Sequence, residues 1–267
     1  VDFPFISIIP VFERPERNLG GYIETVRRIR FEVYAVKDKG RSVVRQNMGI
    51  LKNLSDMFQV HTSTWRMPDS ILKWNTAFSS NIVSMSFSDQ ALPFKRGLIH
   101  TGELTVDFWS KDPVHAGIAG TRTSHTATDA KTLLDTLTAM LKTYSATALA
   151  SVKAFKDFSI PPQVTYPFIA TTMEGEERDR SHTGQDVVAR SIDISLLGKK
   201  GHHESNLESV LAITENIKKI LLADPEIQGK AINSTINLVT FGRVLEKADL
   251  IYGSTIEVDC ISHESLV

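Results

Sequence analysis

One stretch of this chain occurs twice, and that constrains its fold more than any other feature. Residues 166–197 read YPFIATTMEGEERDRSHTGQDVVARSIDISLL, and residues 3–34 read FPFISIIPVFERPERNLGGYIETVRRIRFEVY. A shift of 163 (166 − 3) lays one on the other without a gap. Phe3-Pro4-Phe5-Ile6 falls on Tyr166-Pro167-Phe168-Ile169, Glu13 on Glu176, Arg17 on Arg180, Gly21 on Gly184, Arg27 on Arg190 and Ile29 on Ile192. The closing segments match at a shift of 152 (258 − 106), with Ile99 on Ile251, Leu104 on Ile256, Val106-Asp107 on Val258-Asp259 and Phe108 on Cys260. A repeat of this length makes each copy one supersecondary unit, so the fold has to be read copy by copy.

In the first copy, residues 3–11 are apolar and rich in Ile and Phe, which predicts a strand. The charged, Pro- and Gly-containing stretch 13–21 predicts a loop or an extended hairpin tip. Ile29, Phe31, Val33 and Ala35 then alternate with Arg28, Arg30, Glu32 and Tyr34, as in an antiparallel strand covered on one face. Val44, Met48, Leu51, Leu54 and Phe58 recur at helical spacing over residues 42–59. Strands are expected at 82–87 and 98–109, with Leu104, Val106 and Phe108 inward. Residues 61–76 have no counterpart and read as an insertion.

The second copy follows the same order. Strand 166–173, charged loop 174–184 and strand 187–197 lead to a helix that Ser205 and Glu208 would open as a capping box. Asp224-Pro225 stops that helix, and strands 236–241 and 250–262 close the copy. Ahead of this copy, Leu133, Leu134, Leu137 and Leu141 mark a helix from about Asp129 to Thr143. Residues 146–158 extend it or form a second short helix. The expected fold is α+β: two tandem repeats of an antiparallel sheet flanked by helices, in β-β-α-β-β order. Residues 1–110 form the first unit, 111–126 a linker and 127–267 the second unit. The helix 129–143 has no partner ahead of residue 3, so the first unit is expected to lack an N-terminal helix.

Composition narrows the function. Of 267 residues 42% are hydrophobic, enough for a core in each half. A net charge of −1 gives no global attraction to nucleic acid or to an anionic membrane. Cys260 is the only cysteine, which excludes an intrachain disulfide and a four-cysteine zinc site. Neither a signal peptide nor a membrane-spanning segment is expected, because the sequence shows no signal-peptide pattern and no apolar run of that length.

Candidate chemistry is sparse. Gly20-Gly21 and Gly117-Ile118-Ala119-Gly120 lack the strand–glycine–helix context of a phosphate loop. His202-His203-Glu204 sits in a strand-to-helix turn with no third His or Cys at ligand spacing. No nucleophile signature such as G-x-S-x-G occurs. Cys260 stands where the other copy has Phe108, so it reads as a packing residue. No catalytic, cofactor-binding or metal-ligating residue is expected, and the chain is not expected to be an enzyme. The charged stretches are the remaining candidates: Glu13, Arg14, Glu16 and Arg17 in one copy, Glu176, Glu177, Arg178, Asp179 and Arg180 in the other. They read as solvated hairpin tips, as a subunit contact of complementary charges, or as acid/base pairs in which no pairing can be singled out. Arg27 or Arg28, Arg30 and Glu32, with Arg190 and Asp193 in the second copy, read as a solvated or subunit-facing strand face. Too few Lys, Arg and aromatic residues accompany them for a nucleic-acid groove.

The run "YPFIAT", "EGEERDRS", "VVARSIDISLLG", "ESNLESVLAITENIKKIL" and "ADLIYGSTIEVDCIS" resembles the tail-terminator or tail-completion (neck) proteins of tailed bacteriophages. The resemblance covers residues 127–262 directly and 3–110 through the repeat. It implies an α+β unit that assembles into a ring, usually hexameric, closing the head-proximal end of the tail tube or sheath. The implied partners are other copies of the chain, a tail tube or sheath protein and the head–tail connector, with no cofactor, no membrane and no specific nucleic-acid binding. The implied location is the virion. Family members usually carry one such unit, so a tandem copy leaves the ring order open. The alternative is a non-viral protein-binding adaptor with duplicated α+β domains. A third reading is an enzyme with its site between the repeats.

Overall fold

The computed structural model describes residues 4–18, 22–36, 42–58, 79–91, 98–113, 127–157, 165–179, 185–199, 203–246 and 249–265. Among these residues the fold is mixed α and β, largely sheet with three helices. The chain divides into two compact units, Val1–Val114 and His115–Val267.

In the first unit, strands β1 (Phe5–Asn18) and β2 (Tyr22–Val36) precede helix α1 (Ser42–Phe58), and strands β3 (Ser79–Ala91) and β4 (Leu98–Pro113) follow it. All pairings are antiparallel, in the order β3-β4-β2-β1. The alternation in β2 sends Phe31 and Val33 to one face, where they bury against Leu51 of α1 and Leu104 and Val106 of β4. Ile29, Leu54, Phe58 and Phe108 pack around this cluster. Each such side chain contributes roughly 1.5–3 kcal/mol when fully buried. Glycine at Gly102 leaves room for the helix, because a Cβ there would stand 2.5 Å from Leu51 Cδ1 and would make that side chain shift.

The second unit opens with α2 (Ala130–Thr143), capped by Asp129, whose carboxylate accepts from the Thr132 N–H at 2.7 Å. A 3-10 turn at Tyr144–Ala146 leads to strand β5 (Ala154–Asp157), then β6 (Phe168–Asp179), β7 (Gln185–Leu197), helix α3 (His203–Ala223), β8 (Asn233–Glu246) and β9 (Asp249–Ser265). Strand order is β8-β9-β7-β6-β5, antiparallel except for β5, which pairs parallel to β6. Both helices contribute to one core: Leu133, Leu134, Leu137 and Leu141 of α2 and Val210, Ile213 and Ile217 of α3 meet Ile192, Ile194, Leu196, Ile256 and Val258.

Several boundaries differ from expectation. The charged stretch 13–18 continues β1, and 174–179 continues β6, so cross-strand hydrogen bonding overrides the local preference for a turn. β3 and β4 are longer than expected, and residues 111–113 belong to β4 rather than to a linker. Residues 154–157 are a strand rather than helix, held by pairing Ala154 to Phe168. Ser205 lies inside α3, which starts at His203. The reading of 61–76 as an insertion falls outside the described residues.

Register is irregular at several places, and the shift between Pro15 and Arg17 of β1 has no counterpart among the described residues of β6. β1 shifts between Pro10 and Phe12 against β2, and β6 shifts between Met173 and Gly175 against β7. β3 shifts between Ile82 and Ser84 against β4, and β8 between Ile236 and Leu238 against β9. Each is a bulge, which bends its strand and increases the local twist.

Candidate functional site

Two arginine-centred clusters stand out, one in each unit. In the second unit, Arg190 shares strand parity with Ile192 and Ile194 and therefore points inward. Its side chain is 0% exposed. Nε donates to Glu176 Oε2 at 2.8 Å, Nη1 to the Thr128 carbonyl at 3.1 Å and to Ser262 Oγ at 2.5 Å, and Nη2 to Glu264 Oε2 at 2.7 Å. One guanidinium thus joins β6, β7, β9 and the residue before the cap of α2. The Thr128 N–H also donates to the His263 carbonyl at 2.7 Å, which ties the start of α2 to β9. A buried guanidinium is tolerated because every nitrogen is bonded and two carboxylates balance it.

The first unit has the same residue types at the corresponding places. Arg27 (190 − 163) donates to Ser110 Oγ (262 − 152) and, at 3.4 Å, to Glu13 Oε1 (176 − 163). Arg27 and Glu13 are register partners across β1 and β2, as Glu176 and Arg190 are across β6 and β7. Here the arginine side chain is 31% exposed.

The electrostatics follow from these contacts. Partial burial pushes the Glu176 carboxyl up, but hydrogen bonds and charge from Arg190 and Arg178 outweigh it and hold the group below the usual carboxylate range. Asp129 is held down by its bonds to Thr132, with the Arg190 and Lys131 charges adding to the effect. On the opposite face of β7, burial together with the charges of Glu174 and Glu257 pushes Asp193 up.

The charged residues singled out from sequence therefore separate by role. Glu13 and Glu176 belong to the arginine clusters rather than to a loop. Arg14 and Glu16 form an exposed pair on β1, with Nε 2.9 Å from Oε1. Arg178 is exposed, bonds Glu176 at 2.6 Å and lies 3.2 Å from Glu264. Glu177 is exposed. Arg17 and Asp179 are at the ends of β1 and β6, and Arg180 lies outside the described residues. Arg190 is in the core, not on a wet face, which corrects the sequence expectation. The matching of Arg27 with Arg190 was visible, but their inward direction required the parity they share with Ile29 and Ile192.

The other wet-face residues are mostly paired in the first unit. Arg28 makes a bidentate bond to Asp107 at 2.6 and 2.8 Å and lies over the Phe12 ring, and Arg30 Nε is 3.0 Å from Glu32 Oε1. Cys260 is fully buried, and burial with the neighbouring Asp259 charge pushes its thiol up to about 12. Among the described residues no group of three or more His, Cys, Asp or Glu side chains could hold a metal ion, and no helix is long and apolar enough to cross a membrane. His203 lies at the start of α3, and His202 falls outside the described residues.

Comparison with models of known protein families finds no match, and comparison with curated protein sequences finds none.

Proposed function

We propose that this chain is a tandem duplication of one β-β-α-β-β unit. We further propose that it is a structural, non-catalytic protein forming a homo-oligomeric ring at the head-proximal end of a phage tail. Its partners would be other copies of itself, a tail tube or sheath protein and the head–tail connector, and its place the virion. The duplication is supported by equivalent bulges, registers and Glu–Arg–Ser clusters at constant offsets. The assembly role is supported by the sequence resemblance.

The observation that carries the reading is the length and character of the hairpins. β1, β2, β6 and β7 run 14, 15, 12 and 13 residues, where strands of five or six are usual. Each hairpin therefore carries exposed charges, Arg14 and Glu16 or Glu177 and Arg178, well past the apolar cluster. Long strands carrying exposed charges of both signs suit a head-to-tail contact that closes by rotation.

The test is assembly, followed by light scattering and negative-stain imaging. Wild type should form rings alone or on addition of tail tube. Arg14→Glu with Glu177→Lys should weaken assembly at least tenfold while leaving Tm almost unchanged, because exposed ion pairs contribute little to folding. A chain that stays monomeric with tube and connector present overturns the reading.

A further inference from the structure

One end of each unit's strand order is built differently. In the second unit that end is β5, four residues long, with an exposed Lys156. A short edge that carries a lysine resists pairing with another chain. In the first unit the end is β3, 13 residues long. Its sequence, SSNIVSMSFSDQA, holds no Lys, Arg or Pro to protect it. Among the described residues β3 pairs with β4 alone, and every residue from Val83 to Ser88 is exposed.

This stretch has two distinct faces. Met85 and Phe87 pair with Leu104 and Gly102, so they share the face of the core residue Leu104. Each is 41% exposed. Phe87 stacks on the His100 ring, with centroids 6.2 Å apart, at the rim of that face. Ser84, Ser86 and Ser88 pair with Thr105, Glu103 and Thr101 and lie on the opposite face. The register shift between Ile82 and Ser84 leaves residues 84–91 regularly paired to β4. The outer side of β3 therefore offers backbone groups with no partner strand among the described residues, apolar side chains on one face and hydroxyls on the other.

We propose that this edge pairs antiparallel with β3 of a second copy, about a two-fold axis at Ser86. A strand added to a free edge gains main-chain hydrogen bonds, and its alternate side chains set the specificity. Centring the pair on Ser86 sets Met85 against Phe87 twice, Ser84 against Ser88 twice and Ser86 against itself. Apolar then meets apolar on the core face, and hydroxyl meets hydroxyl on the other. Centring on Phe87 instead sets Asp89 against Met85, and centring on Met85 sets the bulge residue Val83 against Phe87. Charge selects the same partner. Val83–Ser88 is neutral, so a strongly charged strand finds no counter-charge there, and β5 of another copy brings Lys156. Asp89, the one charged residue of β3, falls outside the paired Ser84–Ser88 segment. Such a contact is self-complementary. It is separate from the head-to-tail contact and does not rest on the ring.

The test uses the full chain carrying Ser86→Cys under mild oxidation. Opposed Cα atoms in an antiparallel pair stand about 4.5–5.5 Å apart, within the span of a disulfide. A disulfide-linked dimer is expected, and fully buried Cys260 does not compete for it. Ser84→Cys should not link to itself, because its copy lies four residues along, about 13 Å away. It should link to chains carrying Ser88→Cys. Ser86→Lys, at an exposed position, sets two ammonium groups face to face and should weaken the dimer about tenfold in light scattering, with Tm nearly unchanged. Ser86→Cys that stays unlinked overturns the proposal, as a contact between β3 and β5 of another copy would show. So does equal self-linking by Ser84→Cys, or self-association that Ser86→Lys leaves unchanged. Arg14→Glu with Glu177→Lys should leave the Ser86→Cys link intact. Loss of rings with the link retained counts against the ring alone, and rings without the link count against this inference alone.

Discussion

The clusters around Arg190 and Arg27 use the same three residue types, yet one is sealed and the other half open. What differs is the cover. Thr128 closes the Arg190 cluster from above. An ion pair depends on its solvent as much as on its partner. A sealed guanidinium cannot recover hydration when a contact is lost, whereas a half-exposed one can. The comparison breaks most directly by removing each charge in turn. Arg190→Met should cost about 3 kcal/mol, because it removes the buried counter-charge of Glu176 and Glu264 and leaves them to the exposed Arg178. Arg27→Met should cost about 1 kcal/mol or less. Urea unfolding gives the two losses, and hydrogen exchange assigns each to its own unit. Equal costs would show that cover is irrelevant.

The helix–sheet contacts supply a second contrast, in volume rather than charge. In the first unit Leu51 sits over Gly102, with Ala35 on the neighbouring strand. The sequence offsets of 159, 152 and 163 lay Leu51 on Val210, Gly102 on Ser254 and Ala35 on Gly198. A Cβ at Gly198 would meet Val210 Cγ2 at 2.5 Å and the Tyr252 carbonyl at 2.9 Å. Ser254 and Thr214 exchange a buried hydroxyl bond of 2.6 Å. The two units divide the space between helix and sheet differently. Gly102→Ala should therefore cost about 1–2 kcal/mol, since the new methyl collides with Leu51. Adding Leu51→Val should recover part of that loss, although Leu51→Val alone costs about 1 kcal/mol. A double-mutant cycle reads the coupling, and strict additivity would show that Leu51 and Gly102 do not compete for the same volume.

How much of this was legible in the sequence depended on whether the signal was periodic. Ile29-Phe31-Val33 and Ile192-Ile194-Leu196 repeat every second residue, and both strands were readable. Leu133, Leu134, Leu137 and Leu141 gave α2 in the same way. The charged halves of β1 and β6 were not readable. Glu13 to Asn18 carries turn-forming residues, and only the backbone bonds to β2 make it a strand. β5 is four residues long and has no alternation to detect. Arg190 was assigned to the wet face because a charge outweighs parity in a single-sequence reading, and only its four partners reverse that preference. Those partners come from residues 128, 176, 262 and 264, which no local pattern connects.

The smallest expected effect concerns the outer face of the strands. The sequence shift of 163 lays Arg30 on Asp193, but their surroundings differ in sign. Arg30 lies beside Glu32, whereas Asp193 lies near Glu174 and Glu257. Burial and those two like charges raise the Asp193 carboxyl, so the folded chain binds this proton more tightly than the unfolded chain does. Stability from this group is therefore present at low pH and lost as pH rises through the raised value. Asp193→Asn should raise Tm slightly at pH 7 and leave it unchanged below the ordinary carboxylate range. Glu176 works in the opposite direction. Its lowered value gives stability above the ordinary range that is lost as pH falls, so Glu176→Gln should lower Tm at pH 7 and matter least in acid. Melting curves of the two variants from pH 3 to pH 8 should therefore depart from wild type in opposite directions. If Asp193→Asn instead melts lower than wild type at pH 7, the carboxylate is bonded on that face, and the contrast in sign between the two outer faces fails.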